Sequence, residues 1–283
     1  AYVLCAVFAT ISGLLSVART GAFQPTTTHG GATGMELDAI AAVVVGGAAL
    51  TGSKGTVAGT LLGALLYGIL SNLFPLIGIS SYMQQLIQGL IILVAVLISV
   101  KGSISEAMSM KKIEVSKLLP VIMLIVLIVI GSQLSESFFT LSNLSNIVQY
   151  AVESAFIGIG MTFVLLIGGI DLSVGSVLAF ASVVSAKMAL ESMSIPLILI
   201  VVILIGLGCG AVNGLLVTRF RIEPFMATLA MMMIMRACTF LFTGGGPLTG
   251  SVQDSFKQII KGDFLGVQNG IWYVLIAFVA AFL

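Results

Sequence analysis

Long apolar runs separated by short polar breaks fill almost the whole chain, and none of them alternates with a period of two. Ten runs stand out: 1–18, 37–50, 56–74, 82–100, 118–133, 146–167, 172–190, 196–217, 225–243 and 271–283. A helix needs about 20 apolar residues to cross the hydrocarbon core of a bilayer. The pattern therefore predicts an all-α, polytopic transmembrane helical bundle of about ten spans. The run 37–50 is short enough for a broken or partial crossing, and 271–283 is cut by the chain end. A β-barrel is excluded, because its strands alternate between lipid and lumen along their length.

The main interruption is GSISEAMSMKKIEVSKLLP, from Gly102 to Pro120, which holds Lys111, Lys112 and Lys117 against Glu106 and Glu114. It divides the chain into an apolar block over 1–102, a junction over 103–117 and a second block over 118–283.

Composition agrees with the pattern. Hydrophobic residues make up 59% of the chain, charged residues 8%, and mean hydropathy is +1.20. A soluble domain carries roughly a quarter of its residues as charges, so the surrounding medium is lipid. The net charge of +1 gives no basis for a nucleic-acid partner. Cys5, Cys209 and Cys238 lie in apolar runs without metal or disulfide spacing and are expected to pack. The first residues show no basic leader of a cleavable signal peptide.

Basic residues favour cytoplasmic loops. With the opening stretch cytoplasmic, that side holds Lys54, Lys101, Lys111, Lys112, Lys117, Arg219 and Arg221, against Arg19, Lys187, Lys257 and Lys261 opposite. This orientation places both chain ends in the cytoplasm.

The candidate chemistry is sparse. In GMTFVLLIGGIDLSVGS, the pair Gly168-Gly169 breaks a helix just before Asp171 and Ser173. Asp171 is placed either to cap the next helix or to line a polar path. ELDAIAAVVVGGAALTGSKGTVAGTLLGALL repeats the pattern, with Asp38 in the apolar segment and Gly46-Gly47 as the break. Gly59 with Gly63, and Gly206 with Gly210 and Gly214, have the spacing that lets helices approach closely in lipid. The GSKGT turn lacks the full phosphate-loop pattern and follows no soluble strand, so it is not one. Glu153 and Arg236 both fall inside spans, roughly 10 Å below the outer surface at about 1.5 Å per residue. Charges at that depth are costly. They are expected to face the interior as a pair or on a watered path, the alternative being separate snorkelling to the interface. His29 is a solvated loop residue. No nucleophile–base pair, metal-ligand spacing or nucleotide loop is present, so no catalytic residue, metal or cofactor is predicted.

LTLSNLSNIVQ, GMTFVLLIGGIDLSVGS and RFRIEPFMATLAMMMIMR resemble the N-terminal half of sugar-type ABC importer permeases, above all the ribose-type subfamily. SVARTGAFQPT, GMELDAIAAVVVGGAALTGSKGTVAGTLLGALL and SSYMQQLIQGLIILVAVLI resemble the C-terminal half. The halves stand in reversed order, so the junction looks like the tail of one permease joined to the head of the next. A window of a tandem fusion, a circular permutation and an artificial assembly all remain open, the tandem window favoured.

The resemblance implies a permease subunit of an ATP-driven monosaccharide importer in a bacterial inner membrane. Its expected partners are a cytoplasmic ABC ATPase, an extracytoplasmic sugar-binding protein docking on loops 20–35 and 134–145, a second permease subunit and the lipid bilayer. The path candidates are Asp171, Ser173, Glu153, Arg236 and Asp38. Arg219, Arg221 and Glu223 are candidates for ATPase contact, with a plain positive-inside anchor as the alternative. The family's coupling loop would bridge Leu283 to Ala1, so the chain as given is expected not to couple ATP to transport. The two halves are expected to pack as one bundle, with 1–18 near 271–283. A gradient-driven carrier and a non-transporting remnant are the competing classes.

Overall fold

The computed structural model describes residues 1–23, 34–49, 52, 54–80, 82–91, 93, 94, 97 and 115–281. His29, Lys101, Lys111 and Lys112, with most of the junction, lie outside the described residues.

The elements run as α1 (Tyr2–Thr20), α2 (Met35–Val45), α3 (Val57–Leu76), α4 (82–91), α5 (Val115–Leu134), α6 (Leu141–Leu166), α7 (Val174–Leu190), α8 (Ile195–Thr218), α9 (Pro224–Thr243), α10 (Asp254–Lys261), a short hairpin β1 (Asp263–Phe264) and β2 (Val267–Gln268), and α11 (Asn269–Ala280). Among the described residues, α1, α3, α6, α8 and α9 are each long and apolar enough to cross a membrane. The architecture is an all-α polytopic bundle.

Most predicted spans coincide with a helix, and the boundaries have local causes. Thr140 accepts a hydrogen bond from the Asn143 N–H, which starts α6 five residues earlier than the apolar run. Thr56 caps α3 in the same way through Gly59 N–H. α2 covers 11 residues and stops where Gly47 takes φ +96°, a conformation that costs glycine little. α10 and the β1–β2 hairpin were not expected from the pattern.

α1 is the central helix. It runs antiparallel to α6, with Ser12 Oγ donating to the Glu153 carbonyl at 2.9 Å, and antiparallel to α8. A Cβ at Gly206 would stand 2.8 Å from Val7 Cα, and one at Gly210 would stand 2.5 Å from Val3 Cα. On α7, Ser182 donates to the Gly13 carbonyl at 3.1 Å. α3 packs antiparallel on both α2 and α6. Gly59 and Gly63 abut the Gly46 and Ala42 carbonyls, and Thr60 and Thr162 share a hydrogen bond of 2.7 Å. Lipid tails are as apolar as side chains, so these close approaches and interhelical hydrogen bonds hold the bundle. The spacing at Gly59, Gly63, Gly206 and Gly210 thus serves packing, as expected, while a Cβ at Gly214 would meet only Tyr2 Cβ at 4.0 Å.

These contacts define two ends. The near end holds the start of α1, the α2–α3 and α6–α7 loops, and the α8–α9 turn. The far end holds Arg19, the starts of α2 and α6, the end of α9, and α10. The strongest interfaces, α3 with α6 and α1 with α6, α7 and α8, all join residues before 100 to residues after 118. One bundle, not two, is the result. α11 packs chiefly on α6, and the sequence Gln268 to Ser145, then Gly270 to Val152, sets it parallel to α6. It therefore heads toward the near end, where α1 begins.

Candidate functional site

Near the far end, a cluster of polar groups is built from α1, α2, α3 and α6. Glu153 is 3% exposed, and its carboxylate receives Arg19 Nε at 2.5 Å and Nη2 at 3.3 Å. The Arg19 guanidinium also lies 4.1 Å from the Tyr150 ring centre. Tyr150 and Glu153 are three apart on α6, so both face the same neighbour. A two-point guanidinium–carboxylate pair combined with a cation–π contact offsets the cost of holding charge at this depth.

Of the two expected arrangements, the pairing of Glu153 with Arg236 is therefore not the one adopted. Arg236 reaches Glu36 on the first turn of α2 at 3.7 Å, with 38% of its side chain exposed. Equal depth did not determine direction around the helix axis, and Arg19, expected in an outer loop, occupies the last turn of α1.

Ser16, Arg19, Asp38, Tyr67, Tyr150 and Glu153 line a common cavity. Tyr67 from α3 and Asp38 from α2 share its wall. The cavity is about 30 Å³, room for one or two waters and too small for a sugar in this conformation. Its walls nevertheless offer paired charges, hydroxyls and two phenol rings, the donor and acceptor set that polyhydroxylated molecules use.

A second cluster lies at the near end. Asn213 Nδ2 donates to Ser173 Oγ at 2.9 Å, and Ser173 Oγ donates to Asp171 Oδ1 at 2.6 Å. Asp171 Oδ1 also accepts the Ser173 N–H at 2.9 Å. Ser173, not Asp171, is the N-cap residue of α7, and its side chain makes no cap bond to the helix. Asp171 thus orders the turn before the helix and does not bind the first free N–H groups of α7. Tyr2 Oη, Asp171 Oδ2 and Asn213 Oδ1 are buried there without a hydrogen-bond partner among the described residues.

The glycine breaks shape this end. Gly168 takes φ +75°, and a Cβ at Gly169 would stand 2.5 Å from Tyr2 Oη. The two broken-helix loops touch, since a Cβ at Gly52 would lie 3.0 Å from Gly168 Cα. Gly46 is required by its close approach to Gly59. Arg219 caps the end of α8, Arg221 takes φ +55° and Glu223 caps the start of α9, so all three stand on one exposed turn at the near end.

The structure thus brings Glu153 and Asp38 to one cavity, and Asp171 and Ser173 to another cluster. Arg236 belongs to neither. Arg19, Tyr67, Tyr150 and Asn213 were missed. Tyr150 was legible as the i, i+3 partner of Glu153, and Asn213 as a lone amide in an apolar span, whereas Arg19 and Tyr67 come from distant sequence.

The model of one protein family, described as the branched-chain amino acid transport system / permease component, matches residues 1–96 and 143–283. The chain belongs to this permease family. It is 40% identical over 163 residues to the ribose import permease protein RbsC of Haemophilus influenzae, covering 56% of this chain and 50% of that protein. The RbsC protein of Escherichia coli K12 is also 40% identical over 163 residues, with 51% of that protein covered. The L-arabinose ABC transporter permease protein AraH of Azospirillum brasilense is 34% identical over 142 residues, covering 50% of this chain and 42% of that protein. The chain spans about half the length of the curated relatives it matches. No solved structure matches it. As a member of this permease family with apolar spanning helices, the chain is a multi-pass membrane protein.

Proposed function

We propose that the chain is a permease subunit of an ATP-driven importer of a monosaccharide of the ribose type. The observation that carries this is the match of both blocks, 1–96 and 143–283, to one permease family, together with 40% identity to ribose import permeases. In this reading the near end faces the cytoplasm of a bacterial inner membrane. The exposed turn with Arg219, Arg221 and Glu223 offers a contact for a cytoplasmic ABC ATPase, which hydrolyses the ATP. An extracytoplasmic sugar-binding protein delivers the sugar at the far end, and a second permease subunit completes the pore. Asp38 and Glu153 serve the outer part of the path, with Arg19 holding Glu153 in place. Asp171 and Ser173 serve the inner part, and Arg236 flanks the entrance. Residues 1–102 act as the family's C-terminal half and 118–283 as its N-terminal half, with 103–117 as the junction.

The test is uptake of labelled ribose into vesicles holding the permease, its ATPase and the sugar-binding protein. Uptake that requires ATP and survives an ionophore is the expected result. Uptake that ignores ATP and collapses with the ion gradient would overturn the importer in favour of a carrier. Uptake of a branched-chain amino acid in place of ribose would overturn the substrate class.

A further inference from the structure

The β1–β2 hairpin carries an exposed apolar tip at the far end. Phe264 is 60% exposed and Leu265 is 79% exposed. Leu265 and Gly266 take φ +56° and +74°, the two left-handed positions of a tight hairpin turn. The first of these normally favours asparagine or aspartate. A leucine is held there against its own backbone preference.

The Phe264 and Trp272 rings meet edge to face at 6.1 Å, and Trp272 Nε1 donates to the Phe264 carbonyl at 3.0 Å. The indole has therefore satisfied its N–H within the protein, and its ring enters an apolar medium without losing a hydrogen bond. Below it, Ile271, Leu275 and Val279 form an exposed stripe along α11 at helical spacing. On the other side of the hairpin, α10 carries Asp254, Lys257 and Lys261, with Asp254 and Lys257 paired at 3.1 Å. From α10 to α11 the surface passes from charged, through aromatic, to purely aliphatic.

We infer that the tip Phe264-Leu265 and Trp272 form an interfacial anchor that inserts into the lipid at the headgroup–acyl boundary of the far leaflet. Its occupant is phospholipid, because the tip continues the aliphatic stripe of a membrane helix and ends where charges begin. This is the gradient of the aromatic belts of membrane proteins. The anchor fixes the depth of α11 and of the α10 platform beside it, whatever solute the permease carries.

Trp272 is the chain's one tryptophan, so the intact protein reports on this site without labelling. The experiment reconstitutes the full chain in phosphatidylcholine vesicles and measures Trp272 emission. The quenchers are lipids brominated near the headgroup, lipids brominated near the chain ends, and aqueous iodide. The anchor gives blue-shifted emission, weak iodide quenching, and shallow-bromine quenching about twofold above deep-bromine quenching, as an interfacial ring requires. The pair of changes Phe264→Ser and Leu265→Asp keeps Trp272 and should shift emission to longer wavelength and raise iodide quenching. Strong iodide quenching of the unaltered protein without bromolipid quenching would overturn the proposal and leave the tip for water or a soluble partner. Quenching by neither would also overturn it, placing the tip against another protein surface such as a second copy. Stronger deep than shallow quenching would refute the interfacial depth.

Discussion

Replacing Arg19 by methionine keeps the length and apolar volume of the stem but leaves the Glu153 carboxylate unpaired. Glu153 is 3% exposed, whereas the Arg19 side chain is 14% exposed. Removing one partner of a buried ion pair typically costs about 3–5 kcal/mol, and Arg19→Met belongs at that level. Glu153→Gln should cost less, about 1–2 kcal/mol, because Arg19 keeps its contact with Tyr150 and lies near the surface. The double change removes both charges, so it should cost less than the sum of the singles by about 1.5 kcal/mol or more. The same cycle on Glu36 and Arg236, which are 3.7 Å apart and partly exposed, should give a coupling of about 1 kcal/mol or less. The measurement is reversible unfolding in mixed micelles by a denaturing detergent, followed by circular dichroism, for all eight proteins of the two cycles, with wild type counted in each. Additive costs for Arg19 and Glu153, within about 0.5 kcal/mol, would refute the pair.

Other outcomes follow from single contacts. Gly210→Val should block close packing of α1 on α8 and lower the thermal midpoint of the purified protein by many degrees, whereas Gly208→Ala, which meets nothing within 4 Å, should leave it nearly unchanged. Asn213→Ala removes the donor to Ser173 and should cost about 1–3 kcal/mol in the same unfolding assay; a neutral result would show that Ser173 is held by Asp171 alone. Chains 1–102 and 118–283 made together but unlinked should co-purify as a one-to-one complex, and failure to do so would show that the junction is needed for assembly.

The apolar pattern located the helices because spanning length and continuous hydropathy are local properties. The glycines were equally legible, and Gly59, Gly63, Gly206 and Gly210 prove to be points of backbone contact. Charge partners were not. Glu153 and Arg236 share a depth, yet each chose a partner contributed by the other end of the chain, since azimuth and neighbour identity depend on the assembled bundle. Asp171 lies in the α6–α7 break but does not cap α7 as its position suggests: its hydrogen-bond partner is Ser173 in the turn, and the link onward to Asn213 comes from forty residues away. α10 and the hairpin escaped because an eight-residue amphipathic helix and two-residue strands leave no run long enough to rise above the polar loops.

Among the described residues, two ion pairs join the two blocks of the chain: Arg19 to Glu153, and Glu36 to Arg236. The polarity is reversed between them, the first block giving a cation in one and an anion in the other. Neither block could bury its own charge alone, and swapping either for a block lacking these residues would leave two unpaired ions near the far end. The same holds for shape, because α1 fills the groove between α6, α7 and α8 only where Gly13, Gly160, Gly206 and Gly210 admit it. Helix faces and charges of this kind recognise each other without regard to which block is read first. The order of the blocks therefore changes which ends are tethered, while the interfaces that make the bundle, and the polar cavity between α1, α2, α3 and α6, remain specified by side chains.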